Sequence, residues 1–103
     1  MVTVYLIHID PPYRHFRHYA GGTSRAPETR FLEHLGERGA RLCKLAIAEG
    51  SKLTLVRTWP NQTWDFEKRL KKRNLKELCP LCSVKAQEQV AKEEAGVRGL
   101  ALR

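Results

Sequence analysis

The run VTVYLIHI at residues 2–9 constrains the fold more than any other stretch of this chain. It is rich in β-branched and aromatic side chains, which predicts a buried or half-buried strand. Asp10 and the two prolines after it end this predicted strand, because proline cannot donate to a ladder. A loop over residues 11–16 then returns the chain into a second short strand at about residues 17–23. The two segments together predict a β-hairpin.

The hairpin places two tyrosines on one small sheet. Tyr5 lies in the middle of the first strand and Tyr19 in the second, so antiparallel pairing brings both phenols to one face. A third strand is predicted over residues 52–59, where KLTLVRTW alternates and is closed by Pro60 and Asn61. The three strands predict a small antiparallel sheet.

The first predicted helix follows the hairpin. Its start is marked by Ser24 and by Pro27 near the first helical position, with Glu28 suited to the N-terminal dipole. Its apolar stripe comprises Phe31, Leu32 and Leu35. Arg30 and His34 lie four residues apart, which puts them on a neighbouring face of the same helix.

Two more helices and a tail complete the chain. A helix over residues 40–49 ends at Gly50, a residue suited to a C-terminal cap, and another begins at Thr63, with Trp64, Leu70 and Phe66 facing inward. After Cys82 the chain is rich in Ala, Glu, Lys and Gln. The order β, β, α, α, β, α predicts an α+β fold over residues 1–82, with a charged helical tail over residues 83–103.

Composition limits the class of protein. At 103 residues the chain is expected to form one domain. No apolar run is long enough to span a bilayer and no signal peptide is recognisable, so we expect a cytoplasmic protein. Three cysteines are an odd count, which argues against a purely disulfide-stapled secreted scaffold.

The net charge of +8 is concentrated in one region. Residues 51–82 hold eight lysines and arginines against three acidic residues, with the densest run EKRLKKRNLK at residues 67–76. A field of this sign favours a polyanion, and nucleic acid is the commonest one in a cell. The alternative is an ordinary solvated helix face.

Five short motifs occur in an order that resembles the GIY-YIG endonuclease superfamily. Two tripeptides, Thr3-Val4-Tyr5 and Tyr19-Ala20-Gly21, stand where that family has its name-giving pair on adjacent strands. Thr23 and an Arg-x-x-x-His segment from Arg30 to His34 follow. Further matches are Gly39-Ala40-Arg41 and the Glu-x-x-Leu-Lys segment at residues 67–71. The resemblance covers residues 2 to about 75 and implies a ββααβα fold.

The resemblance implies phosphodiester hydrolysis by a metal-dependent DNA endonuclease or nickase. Glu67 would bind Mg²⁺ or Mn²⁺, since such hard cations take carboxylate oxygen, and Arg30 would contact the scissile phosphate. Tyr5 would be the general base if its pKa is lowered from the ordinary phenol value of about 10. Tyr19 and His34 would orient water or phosphate.

Other basic residues would contact the DNA. These residues are Arg41, Lys68, Lys71, Lys72 and Arg73. The chain shows no separate DNA-binding module, so target choice is expected to come from the nuclease surface or from a protein partner. One extra residue between the second tripeptide and Arg30 is a departure from the shortest family members. Asn74 stands close to the position of an asparagine found in several members.

Each of these residues also has an ordinary structural interpretation. The two tyrosines could be sheet residues, and Arg30 with His34 could form a solvated helix face. Glu67 could simply pair with Lys71, four residues on, a surface arrangement worth a few tenths of a kcal/mol.

The segment CPLC at residues 79–82 is half of a zinc-binding motif. A structural Zn²⁺ site needs four ligands, so Cys43 with a histidine, or a second copy of the chain, would have to complete it. A redox pair and a pair of buried thiols are the alternatives. His18, beside Tyr19, is expected at the surface.

Three functions are compatible with these sequence features. The endonuclease is first. A non-catalytic nucleic-acid-binding module on the same fold is second, although a binder gains nothing from an acid among phosphate-contacting bases. A small zinc-stabilised adaptor that binds protein is third, supported by CPLC and the tail.

Overall fold

The protein is a small sheet covered by helices on both faces. The computed structural model describes the backbone of residues 1–36 and 38–101, and the side chains of residues 1–36 and 38–93. In chain order the elements are β1 (Val2–Tyr13), β2 (Phe16–Thr23), α1 (Pro27–His34), α2 (Arg41–Ala48), β3 (Lys52–Gln62), α3 (Trp64–Lys71), a 3-10 helix (Leu75–Leu78) and α4 (Val84–Ala101). This is the α+β fold, with a three-stranded antiparallel sheet, that the sequence predicts.

The strands lie in the order β2-β1-β3, and β1 pairs antiparallel with both neighbours. Tyr5 is opposite Gly21, and Ile7 is opposite Tyr19. Tyr5 and Tyr19 are therefore diagonal neighbours on one face. Their ring centroids are 6.5 Å apart, which confirms the predicted placement.

Two strands extend past the prolines that are predicted to end them. β1 continues to Tyr13, and the hairpin turn is at Arg14, whose φ of 55° is left-handed. The pairing of β1 with β2 shifts register between His8 and Tyr13, so the prolines occupy a break in the ladder. β3 continues past Pro60 because it is an edge strand, where a missing N–H is tolerated.

Alternate residues of β1 enter two separate cores. Val2, Val4 and Leu6 pack on one side with Leu70 of α3 and with Cys79. The other side carries Tyr5, Ile7, Ile9, Cys43 and Ala46, the last two from α2. We call these the α3 face and the α2 face of the sheet. Phe31 of α1 packs on the α2 face.

The first helix buries a different set of residues from the predicted apolar stripe. Leu32 is 67% exposed and Leu35 is 44% exposed, whereas His34 is fully buried. Ala26 is the N-terminal cap, not Ser24, and Pro27 occupies the first turn as predicted. Phe31 packs inward as predicted, whereas the prediction is wrong for Leu32 and Leu35. The side of this eight-residue helix that faces the sheet carries Phe31 and His34.

Helix α3 is capped by Thr63, whose hydroxyl accepts from the Phe66 N–H at 3.2 Å. Leu70 is buried as predicted, and Phe66 is half-buried. Trp64 is 52% exposed, which corrects its predicted inward position. Gly50, with a φ of 96°, ends the second helix as the sequence predicts.

Arg57 joins β3 to the C-terminal part of the chain. One guanidinium nitrogen donates to the Leu78 carbonyl and to Gln89 of α4, both at 3.2 Å, and the other donates to Glu93 at 3.0 Å. The guanidinium also stacks 4.8 Å above the Trp59 ring. None of the helices among the described residues is both long enough and apolar enough to cross a membrane.

Candidate functional site

A buried tyrosine and a buried histidine form the centre of the first site. The hydroxyl of Tyr5 lies 2.7 Å from Nε2 of His34, and both residues are almost fully excluded from solvent. Tyr5 is held by the central strand β1 and His34 by the last turn of α1. The contact therefore fixes α1 against the α2 face of the sheet.

The second ring nitrogen of His34 determines the direction of this hydrogen bond. The backbone N–H of Ala40 donates to Nδ1 at 3.1 Å, so that Nδ1 carries no proton. A neutral imidazole then carries its proton on Nε2 and donates it to the Tyr5 oxygen. Burial, with Arg30 nearby, lowers the pKa of His34 to about 4, which keeps the ring neutral at pH 7.

Tyr5 is left with one hydroxyl proton that His34 does not accept. Burial raises the pKa of Tyr5 to about 12, and the Arg30 guanidinium acts against this rise. The Tyr19 ring meets the His34 ring edge to face, with the ring centroids 5.2 Å apart, and burial also raises the pKa of Tyr19. Both phenols are therefore proton donors at neutral pH.

Arg30 lies between this pair and the surface, with 26% of its side chain exposed. One of its guanidinium nitrogens donates to Glu33 at 2.9 Å and to the Arg38 carbonyl at 3.1 Å. Glu33 also accepts two hydrogen bonds from Arg25, at 2.7 and 2.9 Å. Hydrogen bonds from Arg25 and Arg30 lower the pKa of Glu33 to about 2.

Two arginines around one carboxylate leave a net positive charge at this position. Neither Glu33 nor Arg25 is among the site residues predicted from the sequence. The i, i+3 spacing of Arg30 and Glu33 could have indicated their ion pair from the sequence.

Glu67 of α3 approaches the same group from the edge of the sheet. Helix α3 packs against the edge strand β2, and the Glu67 carboxylate contributes to the raised pKa of Tyr19. Lys71 pairs with Glu67 at 3.3 Å and lies 6.0 Å from the centroid of the Tyr19 ring. Only 13% of the Glu67 side chain is exposed. Tyr5, Tyr19, Arg30 and His34 thus lie together, and Glu67 borders this group beside Tyr19.

The two consecutive glycines have structural roles here. A Cβ on Gly21 would lie 2.5 Å from the Tyr5 hydroxyl, and one on Gly22 would lie 2.8 Å from the Trp64 ring. Both distances are shorter than carbon atoms tolerate. The glycines therefore make room for Tyr5 and Trp64 on the two faces of β2.

The predicted DNA-contacting residues are all exposed, on two different elements. Lys68 and Lys71 lie on α3, and Lys72 and Arg73 follow it directly. Arg41 begins α2, which packs on the other face of the sheet. Four of the five residues therefore form one basic surface along and after α3.

A second cluster of side chains joins the hairpin to the CPLC segment. His8 and His18 are directly opposite each other in the β1–β2 pairing. Their ring nitrogens and the sulfurs of Cys79 and Cys82 all lie within 4.8 Å of one another. These four residues could hold a metal ion.

Only half of this cluster is predicted from the sequence. Cys79 and Cys82 are predicted ligands, but Cys43 is not a partner, because it is buried with Tyr5 on the α2 face. Burial raises the pKa of the Cys43 thiol to about 11, so it is an inert core residue. His8 and His18 could have been found from the hairpin register, which pairs them across the two strands.

The arrangement as a whole offers two chemistries. The Tyr5, Tyr19, Arg30, His34 and Glu67 group, which we call the tyrosine site, combines phenol donors with a cation and a carboxylate. The second group offers two imidazoles and two thiols. A comparison of the chain with protein-family models, with curated proteins and with solved structures found no match.

Proposed function

We propose that the protein is a metal-dependent endonuclease or nickase that hydrolyses phosphodiester bonds in DNA at the tyrosine site. The observation that carries the proposal is the convergence of Tyr5, Tyr19, Arg30, His34 and Glu67, which come from β1, β2, α1 and α3. A partly exposed arginine beside hydrogen-bonded tyrosine and histidine side chains, with a carboxylate at the edge, is an arrangement that suits an anionic substrate.

Arg30 supplies the charge for the phosphate in this proposal. Its guanidinium is partly exposed and is anchored through one nitrogen to Glu33 and to the Arg38 carbonyl. Arg25 shares the Glu33 carboxylate, so the positive charge at Arg30 is only partly offset. A planar guanidinium held in this way can stabilise charge that develops on a phosphoryl oxygen.

Tyr5 acts as an oriented hydrogen-bond donor. Because His34 donates to the phenol oxygen, the Tyr5 proton is available to an acceptor other than His34, and in this proposal that acceptor is a phosphate oxygen or a water. The pKa of about 12 makes the phenol a poor base by itself. Deprotonation of Tyr5 would therefore require additional positive charge beside the phenol.

Glu67 is the carboxylate that would hold Mg²⁺ or Mn²⁺. One carboxylate is a sufficient protein ligand for Mg²⁺, which keeps several waters and is shared with substrate phosphates. Such an ion supplies charge stabilisation and a more acidic bound water. Lys71 must move away from the Glu67 carboxylate when the cation binds. Zn²⁺ prefers softer ligands than a lone carboxylate.

The basic surface along α3 would bind the DNA backbone. Lys68, Lys72 and Arg73 are exposed and are close in sequence to Glu67, so they would hold a duplex beside the catalytic group. Contacts of this kind read shape and charge, and a protein partner would supply any longer sequence preference.

A non-catalytic nucleic-acid-binding module is the second candidate. The Glu67–Lys71 pair favours it, because an acid that is already neutralised by a lysine does not repel phosphate. The same basic surface would then be the whole functional region.

Cleavage of supercoiled plasmid distinguishes the two candidates. We expect the parent protein to nick the plasmid with Mg²⁺ or Mn²⁺, and Glu67→Gln and Arg30→Ala to lose at least about a hundredfold in rate. Glu77→Gln is the matched control, since Glu77 is exposed on the 3-10 helix. Cleavage that survives both site substitutions would overturn the proposed site. Salt-sensitive binding without cleavage would favour the module.

A further inference from the structure

The cluster of His8, His18, Cys79 and Cys82 cannot be satisfied by hydrogen bonds alone. Nδ1 of His8 lies 3.4 Å from Nε2 of His18 and 3.6 Å from each of the two sulfurs. A single ring nitrogen has either one proton or one lone pair, so it makes one hydrogen bond in this plane. Three close partners therefore exceed the capacity of the His8 nitrogen.

A single central cation accounts for all of these distances. Zn–N bonds of about 2.0–2.1 Å and Zn–S bonds of about 2.3 Å in a tetrahedron place ligand atoms about 3.3–3.8 Å apart. Four of the six distances between the ligand atoms are 3.4, 3.5, 3.6 and 3.6 Å, and all six are within 4.8 Å. We propose that these residues form a closed Cys₂His₂ site for a structural Zn²⁺ ion.

The donor set determines the class of ion. Two thiolates and two imidazoles in a tetrahedron suit Zn²⁺, whereas Mg²⁺ and Mn²⁺ prefer oxygen ligands in octahedral geometry. The site has four protein ligands, which leaves no coordination position for a substrate. A structural role follows from this closure.

The protein backbone already holds the ligands in place. His8 and His18 are fixed by direct pairing across the hairpin. The N–H groups of Cys82 and Ser83 both donate to the Cys79 carbonyl, at 3.0 and 2.9 Å, so CPLC folds into a tight turn. Cys79 is fully buried in the core of the α3 face. The ligands need little rearrangement to receive the ion.

The ion would connect two distant parts of the chain. The contact between His8 and Cys82 spans 74 residues. It attaches the segment between α3 and α4 to the β1–β2 hairpin, on the face of the sheet opposite Tyr5 and His34. This inference does not depend on the proposed nuclease activity.

Metal analysis of protein purified without chelator or added zinc tests the site. We expect about one zinc per chain in the parent. Cys82→Ser and His18→Asn should each lose most of the zinc, while the controls Cys43→Ala and His15→Asn should keep it. Cys43 is the third cysteine, and His15 is an exposed histidine in the same hairpin. Full zinc retention by Cys82→Ser would overturn the proposal.

Cobalt substitution of the parent protein provides a test that does not depend on whether variants fold. Tetrahedral Co²⁺ absorbs strongly in the visible range, and a thiolate-to-metal band in the near ultraviolet reports the sulfur ligands. We expect both bands, and their loss on addition of one equivalent of Zn²⁺. A weak octahedral spectrum, or purified protein that holds iron or no metal, would refute the site. Glu67→Gln should keep its zinc, so failure of the nuclease proposal is measured separately.

Discussion

At the scale of single residues, the close approach of Gly21 to Tyr5 is the most constrained contact in the tyrosine site. The Cβ of an alanine at position 21 would lie 2.5 Å from the phenol oxygen and 2.7 Å from the ring carbon that bears it. Tyr5 is fully buried and cannot swing away. We expect Gly21→Ala to lower the free energy of unfolding by about 1–3 kcal/mol, measured by chemical denaturation.

A double-mutant cycle identifies the cause of that loss. Tyr5→Leu removes the ring, so Gly21→Ala should cost much less in that background than in the parent. Gly36→Ala is the control, because a Cβ at position 36 would have its nearest neighbour 3.8 Å away. Equal costs for Gly21→Ala in both backgrounds would contradict the steric explanation.

The buried His34 gives stability a specific pH dependence. Its pKa is lowered from 6.5 to about 4, mainly by burial and secondarily by Arg30. Between these values the unfolded chain binds a proton that the folded chain does not, so stability rises with pH through this window and falls as the pH drops. We expect the parent to lose more stability than His34→Gln between pH 6.5 and 4, by denaturation at a series of pH values.

The difference between the parent and His34→Gln gives the contribution of His34 to the pH dependence of stability. Tyr5, with a pKa of about 12, does not titrate in this window. Glu33 has a pKa of about 2 in the folded chain against an ordinary value of 4.5, and because it is present in both proteins its contribution cancels in the comparison. His8 and His18 are present in both proteins and cancel in the comparison. Parallel curves for parent and His34→Gln would show that His34 is not held neutral by the fold.

The sequence predicts the pairing of Tyr5 and Tyr19 better than it predicts the burial of His34. The hairpin register places Tyr5 and Tyr19 together with no tertiary information. The burial of His34 depends on Ala40, whose N–H reaches Nδ1 only after the turn between α1 and α2 has formed. Local helix periodicity contains no information about that turn, and it therefore predicts an apolar stripe that includes the exposed Leu32.

At the scale of elements, Arg57 of β3 links α4 to the sheet. Arg57 donates to the Leu78 carbonyl, to Gln89 and to Glu93, while its Nε is buried with no partner. We expect Arg57→Met to leave the Leu78 carbonyl unsatisfied and to cost about 1–3 kcal/mol. Amide exchange should become faster in residues 84–93, and the strand β1 should keep its protection.

An exposed arginine of the hairpin provides the control for this substitution. Arg17→Met removes the same charge from β2, where the side chain is exposed, and we expect no change in exchange at residues 84–93. Exchange that increases equally in β1 and α4 for Arg57→Met would show global destabilisation instead of local detachment.

Element boundaries are predicted least well where proline stands in a strand. Proline removes an N–H, but this matters only where a partner strand needs that N–H. Pro60 lies on the edge strand β3, and Pro11 and Pro12 lie where the ladder to β2 is interrupted. Neither condition can be recognised until the strand order is known. The end of α2 at Gly50 and the start of α3 at Thr63 depend on local chemistry, and both are predicted correctly.

At the scale of the whole molecule, the sheet separates two groups of different chemistry. The tyrosine site lies on the α2 face and extends to the β2 edge, whereas the His8 and Cys79 cluster lies on the α3 face. The order of the sequence motifs was sufficient to propose the residues of the tyrosine site. The second group could not be assembled from the sequence, because His8 and Cys79 are 71 residues apart and meet only through the tertiary fold.

The basic surface along α3 makes a further prediction about the whole molecule. Each lysine or arginine that neutralises a DNA phosphate releases counterions, so the logarithm of affinity falls with the logarithm of salt concentration, by about 0.9 per contact. We expect the triple variant in which Lys68, Lys72 and Arg73 become Gln to reduce this slope by about 2–3. Binding of a labelled duplex is measured in the absence of Mg²⁺, so that cleavage does not interfere.

A charge-matched variant determines whether the salt dependence of binding comes from the position of the three basic residues or from the net charge of the protein. Lys52, Lys85 and Lys92 are exposed lysines on β3 and α4, and replacing them with Gln removes the same three charges. If DNA lies along α3, this control should leave the slope nearly unchanged, because a lysine that makes no phosphate contact releases no counterions. Equal loss of slope in both triple variants would place the DNA elsewhere and would remove the basis for bringing a phosphate to Arg30 and Glu67.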